Sequence, residues 1–482
     1  MYDVAIIGAG ISGAAIAREL SRYALRIALL EKENDVSLGT TRANSAIVHA
    51  GYDARPGTMK ARFCAAGNAL YEDLCNELAV PFVRNGSLVA AFTEDELGKL
   101  EALMARGREN GVPGLEILDR ARARQLVPNL ADSVVGGLYA SSAGIVGPWE
   151  LTLALVENAV QNGVDLFLNA PVTALAPSDA GFQIHAGGQA LAARLVINCA
   201  GLQADQIHRL LAPPPFTITP VRGEYLLFDK SAGGFTAQRT VFGVPGPQGK
   251  GVVLLPTAHG NLLLGPNAEA ADSAENTETT AAGLDYIREY ARKRFRDLPL
   301  REVITSFAGL RAKTEHGDFE LGASEIPGFI NVAGIASPGL TAAPAIARYV
   351  ADLVAEQLGE LAVKPDFQPQ REPSPVFMEL SPTEQAALLA RDPRYGRVIC
   401  RCEQITEGEI VAAIHRQPVA TTVDAIKRRV RPGAGRCQGG FCLPRVMEIL
   451  ARELGRDMLS IYKDRQGSYI LTGATKTGGE EA

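Results

Sequence analysis

Long hydrophobic runs are missing from this sequence: no stretch approaches eighteen uninterrupted apolar residues, so a membrane-spanning helix is not expected. A surplus of positive charge is missing too. The 48 lysines and arginines stand against 54 aspartates and glutamates, a net charge of −6, which gives no support for nucleic-acid binding. Cysteines are few for the length, seven in 482 residues, and do not suggest a disulfide framework. An apolar strand pattern starts at the N-terminus at once, leaving no room for a signal peptide. These shortages together predict a cytoplasmic chain that meets a membrane only through a partner. Core material is plentiful, with 46% of residues hydrophobic, and the length suggests two or three domains.

The chain is organised around its first thirteen residues. Val4 to Ile7 reads as a strand buried on both faces, and it empties into Gly8, Gly10 and Gly13 at the head of a small-residue helix, Ala14 to Leu20. This is the spacing of a dinucleotide-binding turn. Gly8 permits the bend, Gly10 admits a pyrophosphate to the backbone, and Gly13 lets helix and strand pack, with Ser12 beside them at the helix N-terminus. A second strand, Arg26 to Leu30, ends in Glu31 with Lys32 after it, eighteen residues past Gly13, where an acid accepts the hydrogen bonds of an adenosine ribose.

The segment Gly39 to Asp53 is too polar at its start for a core strand and reads as a loop. Through Asn44-Ser-Ala-Ile-Val-His-Ala-Gly-Tyr52 and Pro56-Gly-Thr-Met-Lys-Ala-Arg-Phe-Cys64, the sequence resembles the glycine-oxidase-like flavoproteins. Within them it resembles the branch that holds glycerol-3-phosphate dehydrogenases and oxidases and L-2-hydroxyglutarate oxidases. The resemblance implies bound FAD, with Thr40, Thr41, Asn44 and Ser45 in the loop that passes the flavin, and His49 facing the substrate as a base. An imidazole suits that task, because alcohol oxidation removes the hydroxyl proton while a hydride leaves the same carbon. The competing account is a packed or ligand-orienting histidine.

The same resemblance marks later cofactor contacts. Leu195-Val-Ile-Asn-Cys-Ala-Gly201 is a run without alternation, as in a central parallel strand, and it returns to the cofactor at Ala200 and Gly201, with Val172 grouped beside them. Gly328 to Ala347 resembles the last cofactor-contacting motif, contributing Gly334, Pro338, Gly339, Leu340 and Thr341. A helix beginning near Leu340 would aim its positive end at the flavin pyrimidine. In Ser306-Phe-Ala-Gly-Leu-Arg-Ala-Lys-Thr, Arg311 matches the family's anion-holding arginine, and its guanidinium offers paired donors to a carboxylate or phosphate. A surface ion pair with Glu315 or Asp318 competes with that role, and Lys313 is a weaker substrate contact.

Between these motifs, short strand candidates Gly223–Asp229, Val252–Pro256 and Asn261–Gly265 predict an antiparallel substrate sheet over the flavin. Tyr225 and His259 are substrate-contact candidates there, against sheet packing for the tyrosine and a solvated turn for the histidine. Thr93-Glu-Asp-Glu96 reads as a capping box opening a scaffold helix that ends at Gly111, and Pro148 opens another that runs to Gln161.

Prolines at 365, 369, 373, 375 and 382 mark a linker. Beyond it, Ile399-Cys-Arg-Cys-Glu403 and Gly435-Arg-Cys-Gln-Gly-Gly-Phe-Cys442 bring Cys400, Cys402, Cys437 and Cys442 onto two loops. Two short helices, Glu407 to His415 behind the cap Thr406 and Val423 to Val430, separate them. The pattern resembles the bacterioferritin-associated-ferredoxin-like [2Fe-2S] domain, a module that also ends the catalytic subunit of anaerobic glycerol-3-phosphate dehydrogenases. A closed zinc site is the alternative, although zinc more often uses C-x-x-C knuckles.

The expected fold is therefore α/β. A Rossmann-like two-dinucleotide-binding FAD domain (1–80, 145–215 and 325–355) carries an antiparallel β-sheet substrate domain (81–144 and 216–324). A linker (356–395), a small helical four-cysteine [2Fe-2S] domain (396–450) and a tail (451–482) follow. The expected activity is FAD-dependent oxidation of a small anionic hydroxy substrate, first sn-glycerol 3-phosphate, then L-2-hydroxyglutarate, then an amine. Electrons would pass to a partner flavoprotein or other acceptor subunit in a hetero-oligomer. A reading of another class makes the chain an electron-transfer or assembly subunit.

Overall fold

In the computed structural model, residues 1–246 and 251–474 are described. The chain divides into two compact units, Met1–Lys32 with Val36–Arg371, and Glu33–Asp35 with Glu372–Ala482. In the first unit a parallel sheet is centred on Tyr2–Ile7, which pairs with Ile27–Leu30 on one side and Gln189–Asn198 on the other. Asp165–Phe167 and Phe329–Ala333 extend it in parallel outward. Val4 and Ile6 pack into one core and Ala5 and Ile7 into another, so the central strand is buried on both faces, which explains why its sequence does not alternate.

The helices Ile11–Leu20, Met59–Leu78, Pro148–Gln161 and Gly339–Leu358 supply apolar side chains to the first of those cores. Pro148 takes the first helical position as expected. At Glu94–Glu109 the cap differs from expectation: Thr93 makes no side-chain cap bond, and Glu96 instead accepts the Phe92 N–H at 2.6 Å. The second sheet has nine strands, all but one of its neighbouring pairs in the strand order antiparallel, and its longest pair joins Ile218–Phe228 to Val303–Thr314. Its strands come from both stretches expected to form the substrate domain.

The second unit is small. Helices Pro382–Arg391, Glu407–His415, Val423–Val430 and Leu443–Leu454 accompany the two-stranded pairing of Val398–Cys400 with Ile405–Thr406. Ile410, Ile414, Ile426, Met447, Leu450 and Ile461 are among its buried core. Thr406 and Glu409 form a reciprocal capping box at the expected helix start.

Two stretches outside the expected domains carry structure of their own. The proline-rich stretch 356–395 is not a bare tether: Arg371 donates to the Leu78 carbonyl and pairs with Glu157, and Pro382 opens a helix capped by Ser381. Proline marks chain that cannot be mid-helix, but it also suits a helix start, and here it does so. The tail from 451 is likewise structured where described, since Leu443–Leu454 continues into it and Ile461 is 1% exposed. Its last part, 475–482, lies outside the described residues. Among the described residues no helix is long and apolar enough to cross a membrane.

The second unit also buries charge. Arg428 reaches Asp35 at 3.0 Å and Asp464 at 2.9 Å, and Arg429 reaches Asp35 at 2.8 Å. Burial pushes the Asp35 carboxyl up, but the Arg429 and Arg428 guanidiniums outweigh it and leave the pKa below the ordinary value. The folded chain then holds fewer protons than the unfolded one in the acid range, so stability rises with pH there. That contribution is present above the ordinary carboxylate pKa and is lost as pH falls through the lowered one. Asp35→Asn is expected to cost about 3–5 kcal/mol at neutral pH, because it strips the partner from buried guanidiniums, and to remove this acid dependence. Denaturant titrations of the full chain across a pH series measure both.

Candidate functional site

The turn after the first strand is fixed by contact. Gly8 has φ +103°, and a Cβ there would lie 2.4 Å from the Cys199 carbonyl oxygen; a Cβ on Gly13 would lie 1.9 Å from the Gly8 oxygen. Neither position admits a side chain. The Glu31 carboxylate accepts the Ala9 N–H at 2.7 Å and the Thr41 hydroxyl accepts the Ile11 N–H at 3.0 Å. Glu31, Gly10 and the Thr40–Arg42 turn therefore surround one helix N-terminus, with Ser12 buried at its first turn. Lys32, just beyond Glu31, is exposed.

The buried Thr40 Oγ1 has no hydrogen-bond partner. A buried unsatisfied hydroxyl calls for an acceptor or donor from outside the chain, and beside a dinucleotide turn it fits the polar backbone of FAD. Gly201, at φ +59°, follows Ala200, whose N–H reaches Asn198 Oδ1 at 3.3 Å. Val172 opens a strand paired with Ala186.

His49 stands where the first and last segments of this unit meet. Its N–H donates to Thr341 Oγ1 at 2.9 Å, its carbonyl accepts from Asn68 at 3.0 Å, and its Nε2 lies 3.3 Å from Ser337 Oγ. Thr341 sits in the first turn of Gly339–Leu358, behind Gly334, Pro338 and Leu340. His49 lines a cleft of about 210 Å³ together with Asp53, Arg55, Lys60, Asp318, Ser337 and Pro338 among others. Asp318 closes one side by accepting the Met59 and Lys60 N–H groups at 2.8 and 3.0 Å.

The substrate sheet meets the cofactor loop through its missing side chains. Gly223 pairs with Gly309, flanked by Val221 with Arg311 and Tyr225 with Phe307; residues two apart share a face. A Cβ on Gly309 would meet the Ala43 carbonyl oxygen at 2.0 Å, and one on Gly223 would meet Arg311 Nη2 at 2.4 Å. The two glycines thus let the loop press on the sheet and let the guanidinium lie across it. Arg311 Nη2 donates to the Asn267 carbonyl at 3.1 Å. Tyr225 stacks on Phe307 with ring centroids 4.8 Å apart, and its hydroxyl lies 3.3 Å from Ser45 Oγ. Asn44 holds the same loop by donating to the Thr41 carbonyl.

Other candidates sit elsewhere. His259 Nε2 is 2.8 Å from Glu150 Oε1, a paired and partly buried ring rather than a solvated turn histidine. Lys313 is exposed, opposite Thr219. Arg311 and Tyr225 are not part of the His49 cleft lining, and Arg311 is engaged by Asn267 rather than by Glu315 or Asp318. Sequence reading missed Ser337 and Asn267. Ser337 stands within the Gly-Ile-Ala-Ser-Pro-Gly motif beside Pro338, the one signal available for it.

In the cysteine module, Cys402 and Cys437 sulfurs lie 3.6 Å apart, and Cys442 hydrogen-bonds to Cys400. Two sulfurs on one tetrahedral metal at ~2.3 Å bonds are about 3.8 Å apart, so the close pair fits a shared iron. The Cys442 hydrogen bond pulls the Cys400 thiol well down against its burial, and backbone N–H groups of Gly433 and Glu403 add to the effect. Those are thiolate-stabilising contacts. The donor set is two sulfur pairs, which suits a two-iron cluster.

Residues 3–353 match the family model described as FAD dependent oxidoreductase, and residues 398–452 match the BFD-like [2Fe-2S] binding domain. The chain is 53% identical to a glycerol 3-phosphate dehydrogenase of Caloramator mitchellensis over 478 residues, 99% of each chain. It is 32% identical to a glycerol 3-phosphate oxidase of Mycoplasma genitalium, over 73% of this chain and 94% of that one. The dithionite-reduced, FAD-bound L-alpha-glycerophosphate oxidase of Mycoplasma pneumoniae superposes with a TM-score of 0.73 at 29% identity, covering 78% of this chain and 99% of that one.

Gly13→Ala is expected to yield protein with little bound flavin, because its Cβ overlaps the Gly8 carbonyl. Visible absorbance per chain measures the loss, and full flavin content would contradict this account of the turn. Cys402→Ser is expected to lower iron and sulfide per chain while leaving flavin content unchanged.

Proposed function

Since the chain belongs to the FAD-dependent oxidoreductase family and carries a [2Fe-2S]-binding domain, we propose that it oxidises sn-glycerol 3-phosphate to dihydroxyacetone phosphate. Electrons leave through the cluster to a protein or quinone acceptor. The observation that carries the substrate is likeness to a glycerol 3-phosphate dehydrogenase along almost the whole chain, cysteine module included.

When bound, FAD supplies the acceptor for the hydride that leaves the carbinol carbon. The chain's own groups bind, orient and take the proton. His49 Nε2 takes the hydroxyl proton once the substrate hydroxyl replaces Ser337 Oγ, which lies 3.3 Å from that nitrogen in the free chain, while Thr341 and Asn68 hold its backbone from two sides. Arg311 meets the phosphate. A guanidinium has five N–H donors, and the Asn267 carbonyl occupies one nitrogen, so the fork keeps donors for an anion and is itself held in place.

Anaerobic addition of sn-glycerol 3-phosphate is expected to bleach the flavin, and L-2-hydroxyglutarate and amino acids are expected to leave it oxidised. Bleaching by another alcohol, or only by a reduced partner flavoprotein, would overturn the assignment. His49→Ala should stay yellow and be reduced roughly 10²–10⁴-fold more slowly. Unchanged reduction kinetics would remove His49 from the mechanism.

A further inference from the structure

The substrate sheet carries a buried ion pair on the face away from Arg311. Along Ile218–Phe228, Gly223 opposes Gly309 and leaves room for the Arg311 guanidinium, so its neighbours Arg222 and Glu224 point to the other face. The Glu224 side chain is fully buried, and Arg222 Nε lies 3.3 Å from its Oε1. Both residues hold one stretch of chain, 267–280. Asn267 Oδ1 accepts the Glu224 N–H at 2.8 Å, Thr280 Oγ1 donates to Glu224 Oε1 at 3.0 Å, and Arg222 Nη1 donates to Asn276 Oδ1 at 3.3 Å. Between these points Glu269–Ala270 pairs with Val221 and Arg222. The stretch is thus fastened along its length to residues 221–224, and its first residue is the one that holds Arg311. The Asn267 side chain is tied to Glu224 while its main-chain carbonyl accepts from Arg311 Nη2 at 3.1 Å.

The arrangement is a costly one. Glu224 Oε2 and Asn267 Nδ2 are buried without a hydrogen-bond partner, and a Cβ on Gly283 would lie 2.1 and 2.7 Å from them, so the helix that packs there has to be bare at that point. Unpaired buried polar atoms lower stability, apolar residues would fill the same face at lower cost, and departures of that kind collect at places held for function. We propose that Glu224 is a positioning residue for anion binding: by fixing 267–280 it sets where the Asn267 carbonyl stands, and so where the Arg311 fork presents its remaining donors. The inference rests on the reading above that Arg311 meets the phosphate.

A competing role for Glu224 is only to stabilise the sheet. That role would lower the unfolding midpoint and leave the affinity for an anion untouched.

The test uses the oxidised holoenzyme and inorganic phosphate, with binding followed by calorimetry. Wild type is expected to bind phosphate. Glu224→Gln, which removes the charge facing Arg222, and Asn267→Ala, which keeps the carbonyl but frees it from its anchor, are each expected to weaken that binding on the order of tenfold. In an Arg311→Lys background, where the ammonium has no fork to be aimed, the same substitutions should change phosphate affinity by less than about twofold. With sn-glycerol 3-phosphate, KM should rise in both variants by more than the saturating rate of flavin reduction falls. Phosphate affinity unaltered in either variant, the same loss with lysine at position 311 as with arginine, or no phosphate binding by wild type would overturn the proposal. Asn267→Ala leaves the ion pair intact, so it keeps the test available if Glu224→Gln fails to fold. Because phosphate binding involves no oxidation, failure of sn-glycerol 3-phosphate to bleach the flavin would remove the substrate assignment and leave the phosphate result standing.

Discussion

The first unit depends on a clasp between residues 292 positions apart. The Thr341 hydroxyl accepts the His49 N–H and reaches the Ile47 carbonyl at 3.4 Å, tying the loop that follows the opening βαβ unit to the first turn of the helix that closes the fold. One side chain therefore sets the position of the proposed base relative to the helix N-terminus where negative charge is best placed. Thr341 and Asn68 both act on the His49 main chain, one at its N–H and one at its carbonyl, while the imidazole lines the cleft. A proton acceptor anchored by its backbone holds its ring in a fixed place, which is the arrangement catalysis asks of a base.

A second constraint comes from what the substrate sheet leaves out. Opposed glycines on adjacent strands are costly in a sheet, since they add chain entropy and no packing. Here the Gly223–Gly309 pair creates a place where the cofactor loop presses on the sheet and a guanidinium crosses it. The aromatic stack of Tyr225 on Phe307 rebuilds the surface two residues along.

Legibility in the sequence followed chemical locality. The Gly8-Gly10-Gly13 turn, the Thr406 capping box and the paired cysteine loops are short patterns whose physics is complete within a few residues, and each forms from its own segment. The Asn267 contact to Arg311, the Glu150 partner of His259 and the Ser337 neighbour of His49 join segments distant in sequence, and no spacing rule encodes them. In the proline-rich stretch composition marks a linker, and the order of residues 356–395 comes from Arg371 on Glu157 and from the Ser381–Glu384 cap, contacts that composition does not count.

The placement of Asp35 bears on how such chains are assembled from parts. Glu33–Asp35 lies near the start of the flavin-binding sequence but belongs to the same compact unit as the cysteine module, where the Asp35 carboxylate separates two arginines. A gene fusion that moved only residues 372–482 onto another flavoprotein would transplant the arginines without their counter-ion. The module's thermodynamic boundary is thus not its reading-frame boundary, and recombination between relatives would have to carry both ends of the chain together.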